Sequence, residues 1–289
     1  MRLDDLRESE NVEDRRGGGF GGPIMLGGGG LGVVGVIIAL LLGVNPAEIL
    51  GGQGGADQAP ATSTAGFQPG GTARPDDPLL HFSAKIVGST EDVWGQEFAR
   101  RGLRYQAPIF VPYDGATQTA CGAGQSAMGP FYCAADHRVY VDLSFYRELR
   151  DRFGAPGDFA EAYVIAHEVG HHVQNLLGQT EQAAQAAQVY GQRGANGASV
   201  RVELQADCYA GVWANRANAT QHILEEGDVD QGLAAASAVG DDTLQKAARG
   251  RVAPDSFTHG SSAQRVRWFK RGLQQGRLEA CDTFETESL

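Results

Sequence analysis

The segment DFAEAYVIAHEVGHHVQNLLG, residues 158–178, decides the reading of this chain. Apolar side chains recur at Phe159, Ala162, Tyr163, Ala166, Val169, Val173 and Leu176, the period of a helix with one buried face. Asp158 is placed to cap it, and Glu161 three residues on completes a capping-box-like pair. Gly178 is placed to stop it, so a helix is predicted from Asp158 to Leu177. His167 and His171 are four residues apart and therefore share a face one turn apart. Two imidazoles at that spacing can hold one zinc ion at about 2.0–2.1 Å. Glu168, beside the first of them, can act as general base toward a water that the metal has made more acidic.

A third ligand is expected from a second helix. Ser199 can cap a segment running from Val200 to about Ala217, in which Glu203 and Asp207 again lie four apart. Glu203 would complete a His, His, Glu set with an open fourth position, the composition of a catalytic site. Asp207 would accept a hydrogen bond from the outer nitrogen of a ligating histidine and fix its tautomer. The apolar neighbours Leu204, Ala206, Tyr209 and Val212 argue against two acids on a solvated helix surface. A metzincin is excluded, because Gln174 and Leu177 stand where that pattern needs glycine and a third histidine.

N-terminal to this domain the composition changes. Glycine crowds the first 71 residues, and Ile24 to Val44 carries no charge over 21 residues. That length is what a helix needs to cross a bilayer, and its seven glycines would be costly in a soluble helix. Arg2, Arg7, Arg15 and Arg16 precede the stretch, and the next basic residue is Arg74. By the positive-inside rule, residues 1–23 are expected as a cytoplasmic tail, 24–44 as a single-pass anchor in the cell membrane, and the remainder as extracytoplasmic. Residues 45–77, poor in large apolar side chains, are expected as a flexible linker, with the folded domain over 78–289. The fingerprint-like Gly30-Leu31-Gly32-Val33-Val34-Gly35 lacks the preceding strand and following helix that a dinucleotide site requires.

All four cysteines, Cys121, Cys133, Cys208 and Cys281, follow the apolar stretch, as disulfides in an oxidising compartment would. Four cysteines allow three pairings; proximity favours Cys121 with Cys133, leaving Cys208 with Cys281. A formal net charge of −11 argues against nucleic acid as a partner. Val139 to Leu143 alternates as a strand does. His172 points about 100° around the helix from its neighbour and is expected beside the site or at the surface. His81, His137 and His222 have no partner pattern.

HEVGHHVQ at 167–174, VELQADCYAGVWA at 202–214, FTHGSSAQRVRWF at 257–269, GPFYCAADHRVYVDLSFY at 129–146 and the Ala235 to Gln245 stretch together resemble the bacterial neutral zinc metallopeptidase family. The resemblance covers roughly residues 80 to 285 in order, and is shared more distantly with HtpX-type gluzincins, in which HExxH is followed by an ExxAD helix. It implies an α+β, helix-dominated gluzincin-like fold, one zinc ion, and hydrolysis of peptide bonds in a peptide or protein. In those relatives a histidine in a C-terminal Thr-His segment helps stabilise the reacting carbonyl. Thr258-His259 lies in the corresponding place, before a helix that Ser261 or Ser262 can cap, which makes His259 the candidate oxyanion donor. Gly260 departs from the proline usual there. A strand edge near the zinc helix holds extended peptide in gluzincins, a role the Val139–Leu143 strand could fill. The rival expectation is a zinc-bearing, non-proteolytic cell-envelope binding protein.

Overall fold

A computed structural model describes residues 1–17 and 77–289 of the chain. The expected span over 24–44, and the expected linker apart from Asp77, lie outside the described residues. Among the described residues, no helix is long and apolar enough to cross a membrane.

The elements run α1 (Pro78–Arg100), β1 (Ile109–Tyr113), β2 (Ala116–Thr119), β3 (Gly122–Gln125), β4 (Phe131–Cys133), β5 (Arg138–Asp142), α2 (Phe145–Asp151), α3 (Asp158–Leu176), α4 (Thr180–Tyr190), α5 (Ala198–Gln221), α6 (Asp228–Ala238), α7 (Asp241–Arg249) and α8 (Ser262–Gln275). The fold is α+β and helix-dominated. At its centre α5 lies between α3 and α8, with α1 crossing both α3 and α5. Their shared core is aromatic: Phe159 stacks on Trp213, while Tyr163 meets Phe269 edge-on and Trp94 meets Tyr209 likewise. Such rings bury large apolar areas, the main favourable contribution to folding.

A three-stranded sheet of order β1-β5-β4 flanks the helices, and β2 and β3 form a separate hairpin. β5 runs parallel to β1 and antiparallel to β4. The strand predicted at Val139–Leu143 is β5, one residue earlier, and it is interior. The edge strand beside α3 is β4, which Cys121–Cys133 ties to the hairpin. Cys208–Cys281 fastens α5 to the C-terminal segment, so both expected pairings are present.

Two helix starts differ from expectation in how they are capped. α3 begins at Asp158 with Gly157 before it, and no side chain of its own caps it. Gln231 Oε1 of α6 instead accepts from Phe159 N at 3.1 Å. Gly157 is required there twice over: its φ is +117°, and a Cβ would meet Gln231 Oε1 at 2.1 Å. α5 starts at Ala198, ahead of the expected cap Ser199, whose Oγ accepts from Gln192 Nε2 instead. The cap expected at Ser261 is present as a full capping box with Gln264. Residues 1–17, read from sequence as a separate tail, pack on the domain, with Leu6 and Ser9 buried.

Candidate metal centre

α3 and α5 cross at Gly170 and Ala206. A Cβ on Gly170 would stand 3.0 Å from Ala206 O and 3.2 Å from its Cα, so the two backbones are nearly in contact. Gly170 lies between His167 and His171, and Ala206 between Glu203 and Asp207. Small residues at the crossing let the four functional side chains meet across it. One ligand atom each from His167, His171 and Glu203 lies within 4.8 Å of the others. Glu203 Oε2 is 3.2 Å from His167 Nε2, and Oε1 is 3.5 Å from His171 Nε2. A tetrahedral ion with ligands at about 2.0–2.2 Å holds them about 3.3–3.6 Å apart, and the two separations from the Glu203 carboxylate lie near that range. Two imidazoles and a carboxylate are also the donor set of open zinc sites.

The outer nitrogens are held as a metal site requires. His167 Nδ1 is 2.9 Å from Asp207 Oδ1, and His171 Nδ1 is 2.9 Å from Gln174 Oε1, which leaves both Nε2 atoms facing Glu203. Asp207 is fully buried and also accepts from the Tyr163 hydroxyl and from Arg265. Burial raises its pKa, but the Arg265 charge and the His167 contact outweigh that and hold it below the usual range. Burial likewise opposes ionisation of Glu203, and the charges and hydrogen bonds of His171, His167 and His259 drive its pKa well down. Burial lowers the His167 pKa, while Asp207 and Glu203 together lift it to about 10.

The three ligands line a cleft of about 610 Å³. Glu168 and His259 also line it, as do Phe131, Tyr132, Phe145 and Val164. Edge strand β4 therefore borders the cleft, next to the zinc-site helix. His259 belongs to a loop held by Asp241: one carboxylate oxygen accepts from the backbone N–H of Thr258, His259 and Gly260 at 2.7, 2.7 and 3.0 Å. Its other oxygen is 3.3 Å from His259 Nδ1, which leaves Nε2 facing away from Asp241, a donor when the ring carries both protons. Burial lowers the His259 pKa, but Asp241 and Glu203 raise it on balance. His172, about 100° around α3 from His171, is wholly buried between Tyr132 Oη at 2.9 Å and Gln106 O at 2.6 Å. Burial brings its pKa down to about 4. Arg265, Tyr163, Gln174 and Asp241 are the functional neighbours that sequence reading missed. Gln174 had a usable signal in its three-residue spacing from His171, whereas the other three act across long sequence separations.

Comparison with known proteins agrees with this geometry. Residues 1–284 match the family described as "Putative neutral zinc metallopeptidase". The chain belongs to that family. It is 49% identical over 289 residues to "Uncharacterized protein YpfJ" of Escherichia coli K12, covering 98% of this chain and 99% of that one. It is 47% identical over 195 residues to "Uncharacterized protein Rv2575" of Mycobacterium tuberculosis H37Rv, covering 64% and 65% of the two chains. No solved structure matches.

Proposed function

We propose that the domain hydrolyses peptide bonds in a peptide or protein, using one zinc ion held by His167, His171 and Glu203. The observation that carries this reading is the convergence of those three donors at a cleft also lined by Glu168 and His259. When bound, zinc supplies Lewis acidity and lowers the pKa of water. Glu168 takes the proton of the attacking water and delivers it to the departing amine. His259, which Asp241 and Glu203 favour in its protonated form, donates a hydrogen bond from Nε2 to the carbonyl oxygen as charge develops there. Asp207 keeps the His167 ring in the tautomer whose Nε2 can bind metal.

Two disulfides support placing the domain outside the cytoplasm, and the uncharged stretch 24–44 supports association with the cell membrane. Net negative charge supports a protein rather than a nucleic-acid partner.

The deciding variant is Glu168→Gln, which keeps all three ligands. Zinc content is expected to match wild type, while hydrolysis of a mixed peptide library falls by about 10²–10⁴-fold. The rival reading, a zinc-bearing binding protein of the cell envelope, needs no proton acceptor at that position. Full complementation of a deletion phenotype by metal-loaded Glu168→Gln would favour it and remove the peptidase reading.

A further inference from the structure

We infer that residues 1–17 are an integral part of the catalytic domain, so that the N-terminus and the domain lie on the same side of any membrane the chain meets. The segment runs parallel to β1 and extends its ladder: Phe110 N donates to Asn11 O at 2.8 Å, Glu13 N to Phe110 O at 2.9 Å and Arg15 N to Pro112 O at 2.9 Å. It covers the sheet edge opposite to β4, an edge that would otherwise present unpaired backbone groups. Nearer its start it lies on α1, where Ser9 N donates to Ala84 O at 2.9 Å. Helix α1 is shaped to receive it, because a Cβ on Gly88 would meet Arg7 O at 2.6 Å.

The polar contacts are equally specific. Glu91 of α1 is nearly buried, and the side-chain donors it meets are Arg7 at 2.8 Å, Ser9 at 2.6 Å and Asn11 at 2.8 Å, all from this segment. A carboxylate withdrawn from water needs such partners. The basic residues whose position suggested a cytoplasmic tail are thereby engaged by the domain itself. Arg7 also pairs with Asp92, Arg15 donates to Gln118 O, and Arg2 lies 3.8 Å from Glu225. The family match, moreover, begins at residue 1.

The topological consequence follows from one ion pair. Arg16 Nη1 is 2.6 Å from Asp77 Oδ2, so the described residues on either side of 18–76 lie within reach of a single side chain. An odd number of membrane crossings between those points would separate them by a bilayer. Two crossings would need about 40 apolar residues, and only 24–44 has the required character. A single-pass anchor with the N-terminus opposite the domain is incompatible with this packing.

Two measurements on the full-length chain test the inference. In detergent-solubilised protein, hydrogen exchange resolved to single residues should find the amides of Ser9, Glu13 and Arg15 protected like those of β1. Exchange at the rate of free peptide would overturn the inference. In Escherichia coli spheroplasts, Glu10→Cys and Val189→Cys, both at exposed positions, are treated separately with a membrane-impermeant maleimide. Labelling of both supports a shared side. Labelling of neither until the membrane is permeabilised supports it too, while removing the extracytoplasmic placement proposed above. Labelling of Val189→Cys alone, or of Glu10→Cys alone, would overturn it.

Discussion

Arg265 grips Asp207 through two hydrogen bonds, Nε to Oδ2 at 2.8 Å and Nη2 to Oδ1 at 2.9 Å, directly behind the candidate ligand His167. Neither side chain is more than 4% exposed. The ion pair keeps a carboxylate ionised where burial alone would neutralise it, and that carboxylate in turn orients the imidazole. Ligand geometry on α3 is therefore controlled from α8, through α5.

Breaking this relay should separate metal affinity from stability. Asp207→Asn keeps the shape but removes the charge, and zinc affinity measured against a competing chelator should fall about 10–100-fold. Arg265→Met leaves Asp207 buried without its cation, at a cost of roughly 3–5 kcal/mol in denaturant unfolding. The double variant should recover most of that loss while keeping the weakened zinc affinity. If Arg265→Met unfolds like wild type, the pair does not hold the site together.

The close crossing of α3 and α5 makes Gly170 a steric determinant of metal binding. Gly170→Val must push Ala206 away, and overpacking of this kind costs about 1–3 kcal/mol. Because Glu203 sits one turn from the clash, the purified variant should also lack zinc by elemental analysis. Stoichiometric zinc in it would show that the ligands tolerate a wider crossing.

His259→Ala should retain zinc and lose roughly 10²–10³ in kcat, the scale of one oxyanion donor. Asp241→Ala releases three backbone N–H groups of the same loop and should reproduce the kcat loss with all metal ligands intact. Steady-state kinetics on a peptide substrate, with zinc quantified in each preparation, checks both. Normal turnover in Asp241→Ala would mean that the loop holds its shape without the carboxylate.

A pH dependence of stability is expected from Glu161 in the first turn of α3. Burial, then the neighbouring Asp158 charge, raises its pKa to about 7, with Arg150 opposing. The unfolded chain ionises this group near 4.5, so the folded form gains stability at low pH and loses it as pH rises through 7. Allowing for screening of a partly exposed group, the difference is on the order of 1–2 kcal/mol. Between pH 5 and pH 8, wild-type Tm should fall more than that of Glu161→Gln. Parallel Tm curves for the two proteins would remove Glu161 as the cause.

The grouping of the candidate site was legible because helical period is local: residues four apart share a face in any helix, so the pairing of His167 with His171 and of Glu203 with Asp207 could be read without knowing how the helices pack. Arg265 was not legible, since it reaches Asp207 across 58 positions and its charge looks like any other on an amphipathic helix. The capping of α3 failed for a similar reason: Asp158 has the right chemistry for a cap, but Gln231 arrives from α6 and takes the role. The arginines before residue 17 have two physical readings, attraction to a cytoplasmic membrane face or pairing with acids of the domain. Sequence holds no information that separates those readings; in the structure Arg7 pairs with Glu91 and Asp92.

Edge strand β4 pairs with β5 on one side, among the described strands it has no neighbour on the other, and its Phe131 and Tyr132 line the cleft. On the peptidase reading, a substrate would dock there through its own main chain, offering backbone groups common to every sequence. A segment already committed to a helix or to an interior strand has none to offer. Selection would then act on conformational state before it acts on side chains. Cleavage rate would follow how often a target exposes a locally unfolded stretch, and a well-folded neighbour carrying the same residues would be spared.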